Sequence, residues 1–360
     1  MMKELNYRNL LLARESRGAT QKAMAKAIEG LNQGNLSKME KGLISISDNM
    51  LAQIANYLDY PVSFFYKPSQ GRGLNTFFYR KRVTMPQKEL ALIEAKFDIT
   101  RTAIDELLDS VDIPEFTIPS IKVSEDTDPK EIAKRIRIFF NLPIGPIDKI
   151  INTFEKHGVI VIFLKNMPDK FFGVTMFTNK SQPTIFINDN KSNDNKRFTL
   201  GHELGHLVMH LRNDVYDTDE KTLDKQADIF SSEFNMPEKE CKNELLNLRY
   251  KDLMPLKLYW KLSKAAICYK AKELKCISDS QYKYYMMQLS KSGQRKKEFE
   301  TVSIDKPTML KKIIMIHLND LKYTKNEIEQ LTGERYDDLM ALIPNEDVVR
   351  PKLRIIRNWE

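Results

Sequence analysis

Cysteine is nearly missing from this sequence: Cys241, Cys268 and Cys276 are the only three in 360 residues. They form no CxxC pair and no even-numbered set, which excludes a disulfide framework and leaves no thiolate zinc cluster. Long apolar runs are missing too. The longest strongly apolar stretch, Val159 to Leu164, is far short of the roughly 20 residues that cross a bilayer. The N-terminal MMKELNYRNLLLARESRG scatters charges among its apolar residues and so lacks the apolar core of a signal peptide. A cytoplasmic location and no membrane partner are expected. Glycine and proline, at 13 and 15, are too few and too dispersed for a fibrous or low-complexity chain. Histidine is scarce as well, and three of the five fall within nine residues.

What is present is a folded multidomain chain. At 42% hydrophobic and 29% charged a core can be built, and the length exceeds what one ordinary core fills. The net charge of +8 favours a polyanionic partner, although solvated lysine faces give the same total. From Leu5 to Tyr66 apolar residues recur at helical spacing in short blocks, Leu10 to Arg14, Ala23 to Ile28, Leu36 to Met39 and Leu51 to Leu58. Thr20 and Ser47 read as N-caps of the second and fourth helices, and Gly30 as a stop. A connector follows, with a basic Arg80-Lys81-Arg82 able to touch phosphate. A long amphipathic helix is predicted over 86–110, and helices over Pro129 to Phe140 and Ile147 to His157. The β-branched Val159 to Phe163 and Thr184 to Ile187 read as strands. A polar loop is expected from Asn188 to Asn195, and the chain turns helical from Phe198 onward. The expected fold class is α+β, mostly helical, in four segments: an N-terminal bundle over 1–68, a linker and connecting helix over 69–120, a central domain with a small sheet over 121–250, and an all-helical region over 251–360.

The strongest signal is RFTLGHELGHLVMH at 197–210. His202 and His206 lie four apart on one helix face, so both imidazoles can reach one metal ion while Glu203 stands beside it. A chance HExxH in this composition has odds on the order of one in two hundred. Catalytic zinc takes three protein ligands, and the helical segment Leu223 to Phe230 places Asp224 and Asp228 four apart on one face. Asp224 is read as the third ligand and Asp228 as the carboxylate that orients a ligand imidazole, with Glu220 and Glu233 as runners-up. His210, a turn beyond His206, does not match the third-histidine spacing of HExxHxxGxxH and is read as packed or as a support for the ligands. Histidine and carboxylate ligands suit Zn2+, and Mn2+ or Fe2+ accept similar sets.

The segment from Pro129 to Pro237 resembles the ImmA/IrrE family of metallopeptidases in DPKEIAKRIRIFFNLPIGPIDKI, GVIVIF, PTIFIND, RFTLGHELGHLVMH and DKQADIFSSEFNMP. One departure stands out: where the family has Glu in its third-ligand motif, this chain has Asp224, one methylene shorter. The resemblance implies a zincin-like peptidase acting through metal-activated water, with Glu203 taking the proton and passing it to the leaving amine. Its protein substrate would be a repressor or antitoxin.

In the N-terminal bundle, Leu36 and Met39 face inward, which leaves Gln33, Asn35, Ser37 and Lys38 outward at the start of a helix placed to read base edges. Thr20-Gln21 and Leu36-Ser37-Lys38-Met39-Glu40-Lys41-Gly42 resemble the Xre/Cro helix-turn-helix domain. That resemblance implies a double-stranded DNA operator, contact residues that include Gln21, and homodimeric binding. Two readings stay open. One is a DNA-binding regulator with metal-dependent endopeptidase activity. The other is a non-catalytic regulator or antitoxin whose peptidase fold acts as a sensor.

Overall fold

The computed structural model describes residues 4–68, 85–124, 127–213 and 218–344, so Arg80-Lys81-Arg82 lie outside the described residues. Four short helices open the chain: α1 (Tyr7–Ser16), α2 (Gln21–Ala27), α3 (Gln33–Glu40) and α4 (Asp48–Leu58). Each is started by a side-chain oxygen that accepts an otherwise orphaned backbone N–H. Asn6 caps α1, Thr20 α2, Asn32 α3 and Ser47 α4. Gly30 holds φ at +76°, a backbone region open mainly to glycine. Leu10, Met24, Leu36, Ile54 and Phe65 fill the bundle centre.

Helix α5 (Gln87–Leu107) serves two cores because its apolar residues fall on two faces. Ala95 and Ile99, four apart, close the core of the helical bundle. Ile93, Phe97 and Ile104 belong to a second core built on the sheet. There the Phe97 ring lies 4.9 Å from Phe186 and 5.5 Å from Phe171, centroid to centroid.

That sheet has three strands in the order β1 (Ile160–Leu164), β3 (Pro183–Asn188), β2 (Gly173–Phe177). β1 and β3 run parallel with Val161 opposite Ile185, and β2 is antiparallel to β3 with Val174 opposite Phe186. Ile160, Ile162, Val174 and Phe186 face α5, whereas Val161, Phe163, Ile185 and Ile187 face the other core. That second face is covered by α6 (Pro129–Phe139), α7 (Ile150–Lys156), α8 (Asn193–Met209) and α9 (Glu220–Asn235). α8 begins inside the segment read as a polar loop.

The described part of the expected all-helical region over 251–360, residues 251–344, divides between two cores. α10 (Glu238–Leu245), α11 (Leu253–Trp260), α12 (Lys264–Glu273) and α13 (Asp279–Lys291) surround Trp260, Ile267 and Leu289. α14 (Met309–Asn319), α15 (Lys325–Thr332) and α16 (Tyr336–Ala341) instead return to the α5 face of the sheet, where Ile313, Ile314, Ile328 and Leu339 join its core. A boundary at 250/251 therefore coincides with no break in packing.

The C-terminal helices also hold the N-terminal bundle. Arg17 pairs with Asp338 at 2.5 Å and lies over the Tyr60 ring, 4.6 Å from its centroid. Arg335 pairs with Asp59 at 3.2 Å. Between these pairs Glu334 is only 7% exposed. Burial, reinforced by Asp338, pushes its carboxyl from 4.5 up to about 8 against the pull of Arg17 and Lys96. A folded value above the unfolded one means that the native state favours the protonated acid, so stability is fully present at low pH and falls as pH rises through about 8. Glu334→Gln should therefore raise the melting temperature little at pH 5 and progressively more up to pH 9. A thermal denaturation series across that range tests it, and a gain independent of pH would contradict it.

Candidate metal centre

α8 and α9 run in opposite directions and pack unusually close. A Cβ on Gly201 would sit 2.6 Å from Ser231 Oγ and Asn235 Nδ2, and one on Gly205 3.3 Å from the Ala227 backbone. The approach carries Asp224 and Asp228 of α9 to the histidines of α8. His202 Nε2 and His206 Nε2 lie 3.0 Å apart. Asp224 Oδ1 lies 3.7 Å from the first and 3.5 Å from the second. All three side chains are shielded, His206 to 1% exposure. His202 Nδ1 faces Asp228 Oδ1 at 2.8 Å. His206 Nδ1 faces His210 Nδ1 at 2.9 Å, and His210 Nε2 faces Gln226 Oε1 at 2.9 Å.

This donor set fits a divalent cation. With His202 Nδ1 donating to a carboxylate, the lone pair of that ring is on Nε2, pointing at another imidazole Nε2 and at a carboxylate oxygen. Three electron-rich atoms converging in a buried space repel one another unless a positive charge lies among them. Burial alone would lower His202, but the Asp228 hydrogen bond and the charges of Glu203, Asp228 and Asp224 outweigh it and raise its pKa. His210 goes the other way: burial, helped by the charge of His202, pushes it down to about 4 despite the Gln226 hydrogen bond.

Glu203 is fixed from the sheet. Thr175 Oγ1, on β2, donates to Glu203 Oε2 at 2.9 Å. Burial pushes the Glu203 carboxyl up to about 7, against the opposing effects of His202 and Thr175. Gly173 lets the strand come this near, because a Cβ there would meet Thr199 of α8 at 2.7 Å. The four residues His202, Glu203, His206 and Asp224 line a cavity of about 890 Å3 whose apolar walls include Phe171, Phe198, Ile229 and Leu262. The runners-up lie elsewhere. Glu220 is exposed at the start of α9, and Glu233 is buried in an ion pair with Lys270 at 2.7 Å. Thr175, Gln226 and Lys270 were not singled out by the sequence, and nothing in their local pattern marks them.

In the N-terminal bundle, Leu36 and Met39 are buried while Gln33 and Lys38 are exposed on α3. Asn35 and Ser37 are half-buried. Gln21, at the start of α2, donates to Glu40 Oε2 at 2.7 Å, and Glu40 is also held by Arg14 at 2.5 Å.

A HExxH helix packed against a carboxylate-bearing helix over a small sheet defines a metallopeptidase-like domain, here beside a four-helix bundle whose α3 exposes Gln33 and Lys38. Comparison with family models agrees. Residues 154–272 match the peptidase model described as the IrrE N-terminal-like domain, and residues 10–65 match the model described as helix-turn-helix. A search of curated proteins found no match. The chain thus joins an Xre-type helix-turn-helix domain, which implies DNA binding, to an IrrE/ImmA-like domain with a peptidase-like fold.

Purified protein supplied with zinc should hold about one ion per chain, and His202→Ala and Asp224→Ala should each lose it. Elemental analysis of the three proteins decides this. Retention by Asp224→Ala would remove Asp224 from the ligand set.

Proposed function

We propose that the protein is a DNA-binding transcriptional regulator that also cleaves a protein through the centre formed by His202, Glu203, His206 and Asp224. The observation that carries this reading is the convergence of His202 Nε2, His206 Nε2 and Asp224 Oδ1 beside a buried carboxyl, Glu203, in one cavity. A divalent cation there, zinc in this reading, supplies Lewis acidity toward a scissile carbonyl. The rest is the work of the chain. Glu203 Oε accepts a proton from the attacking water and returns it to the leaving amine, and its value near 7 suits both directions of transfer at neutral pH. Thr175 holds that carboxylate in place, Asp228 holds the His202 ring, and the apolar walls exclude bulk water. By family resemblance the substrate is a repressor or antitoxin.

The second reading, a sensor without catalysis, draws on one residue. Residue 224 is an aspartate, one methylene shorter than the glutamate of the resembled family, and its Oδ1 stands 3.5–3.7 Å from the two imidazole nitrogens. The readings part at Glu203→Gln. Catalysis predicts that this variant keeps its metal and its DNA binding but loses cleavage by about 10²-fold or more. Labelling of new protein N-termini in cells carrying wild type or variant measures it, and identical N-termini would leave the sensor standing.

The DNA-binding half makes its own forecast. On an operator recovered by immunoprecipitation, Gln33→Ala should cost about 1–3 kcal/mol at one base position. Lys38→Ala should instead weaken binding evenly and flatten the salt dependence by about one unit. Titrations of both variants at several salt concentrations separate the two roles, and wild-type binding by both would move the reading surface away from α3.

A further inference from the structure

His202 and His206 present the same atom, Nε2, to the centre, yet their outer nitrogens are held by different chemistry. His202 Nδ1 meets the Asp228 carboxylate at 2.8 Å. His206 Nδ1 meets another imidazole, His210 Nδ1, at 2.9 Å, and that ring continues through Nε2 to the amide oxygen of Gln226, again at 2.9 Å. The direction of this second chain follows from its inner end. A lone pair on His206 Nε2 leaves that ring's hydrogen on Nδ1. His210 Nδ1 must then accept, so the hydrogen of His210 is on Nε2 and is donated to Gln226 Oε1.

We propose that His210 and Gln226 are positioning residues for the metal ligand His206, with Gln226 fixing the tautomer and ring plane of His210 and His210 fixing those of His206. Both rings are almost fully buried, at 3% for His210 and 1% for His206, so each needs a partner for its outer nitrogen. A carboxylate in the place of His210 would orient His206 equally well. It would also add a further anion to a buried space that already holds Glu203, Asp224 and Asp228. A neutral imidazole ending on a half-buried amide orients the ligand without that charge. Outer partners of metal-bound histidines are usually carboxylates, backbone carbonyls or water, and this chain uses a carboxylate for one ligand and a histidine–glutamine relay for the other.

The inference rests on the metal-centre reading, and the two fail separately in one experiment. Zinc affinity of the full chain is measured by competition with a chromophoric chelator for wild type, Gln226→Met and Gln226→Glu. Melting of the metal-free proteins is followed alongside. Gln226→Met, similar in size but without the acceptor, is expected to bind zinc about 10–100-fold more weakly with the metal-free melting temperature unchanged. Gln226→Glu keeps an acceptor and is expected to bind at least as tightly as wild type. In the zinc-loaded wild type, ¹⁵N-detected imidazole spectra are expected to place the His210 hydrogen on Nε2. Wild-type affinity in Gln226→Met, equal weakening in both variants, or a hydrogen on His210 Nδ1 overturns the relay alone. A wild type that takes up no zinc overturns the centre and the relay together.

Discussion

Everything at the candidate centre depends on how closely α8 and α9 approach. The candidate ligands come from two helices, so the distance from His202 and His206 to Asp224 is set by backbone separation before any side chain adjusts. Gly201 and Gly205 permit it: a Cβ on the first would run into Ser231 and Asn235, and one on the second into Phe230 and Ala227. Replacing either with a larger residue would spread the helices by overpacking, which itself costs about 1–3 kcal/mol. Spreading would matter here because an aspartate at 224 has less reach than a glutamate would. The glycines that read as part of a sequence motif are in physical terms spacers.

The same approach explains the burial of so much charge. Asp224 and Asp228 lie at the cavity edge with 14% and 33% of their side chains exposed, while Glu203, His206 and His210 are buried. A buried ionisable group is tolerated only with partners, and each has them: Thr175 for Glu203, His210 for His206, Gln226 for His210. Elsewhere the chain makes a similar arrangement with Lys270 and Glu233, exposed by only 2% and 0% of their side chains. Such pairs are weak evidence of stability. This one leaves Glu233 paired with Lys270, whose side chain also lines the cavity of the candidate centre.

Local pattern carried the helices well, because capping and 3.6-residue periodicity are short-range signals: Thr20, Ser47 and the His202–His206 spacing could all be read without knowing the fold. β2 could not. Gly173-Val174-Thr175-Met176-Phe177 follows Phe171-Phe172 with no clean alternation, and it is a strand only because β3 offers it an edge. Thr175 was invisible for the same reason, since its role depends on a sheet bringing it to α8. Gln226 lies between two carboxylates that drew attention by charge, whereas a neutral amide gives no such signal. The return of α14 to the sheet is a contact across more than a hundred residues, beyond any local rule.

That return, with α5, decides what the two domains are to each other. Ala95 and Ile99 of α5 are wholly enclosed with the bundle residues around Leu10 and Phe65, and Phe97 is enclosed with Phe171 and Phe186. Neither core is complete without this one helix. On the far side α15 and α16 reach the bundle through Arg17–Asp338 and Arg335–Asp59, exposed pairs that add little energy in water. The apolar contacts of α5 therefore hold the bundle in place, and the ion pairs fix its orientation. Phe171, which packs on Phe97, also lines the cavity of the candidate metal centre. A continuous run of packed side chains thus extends from the candidate site to the core beneath α3, and without α5 the bundle would lack the face that closes it.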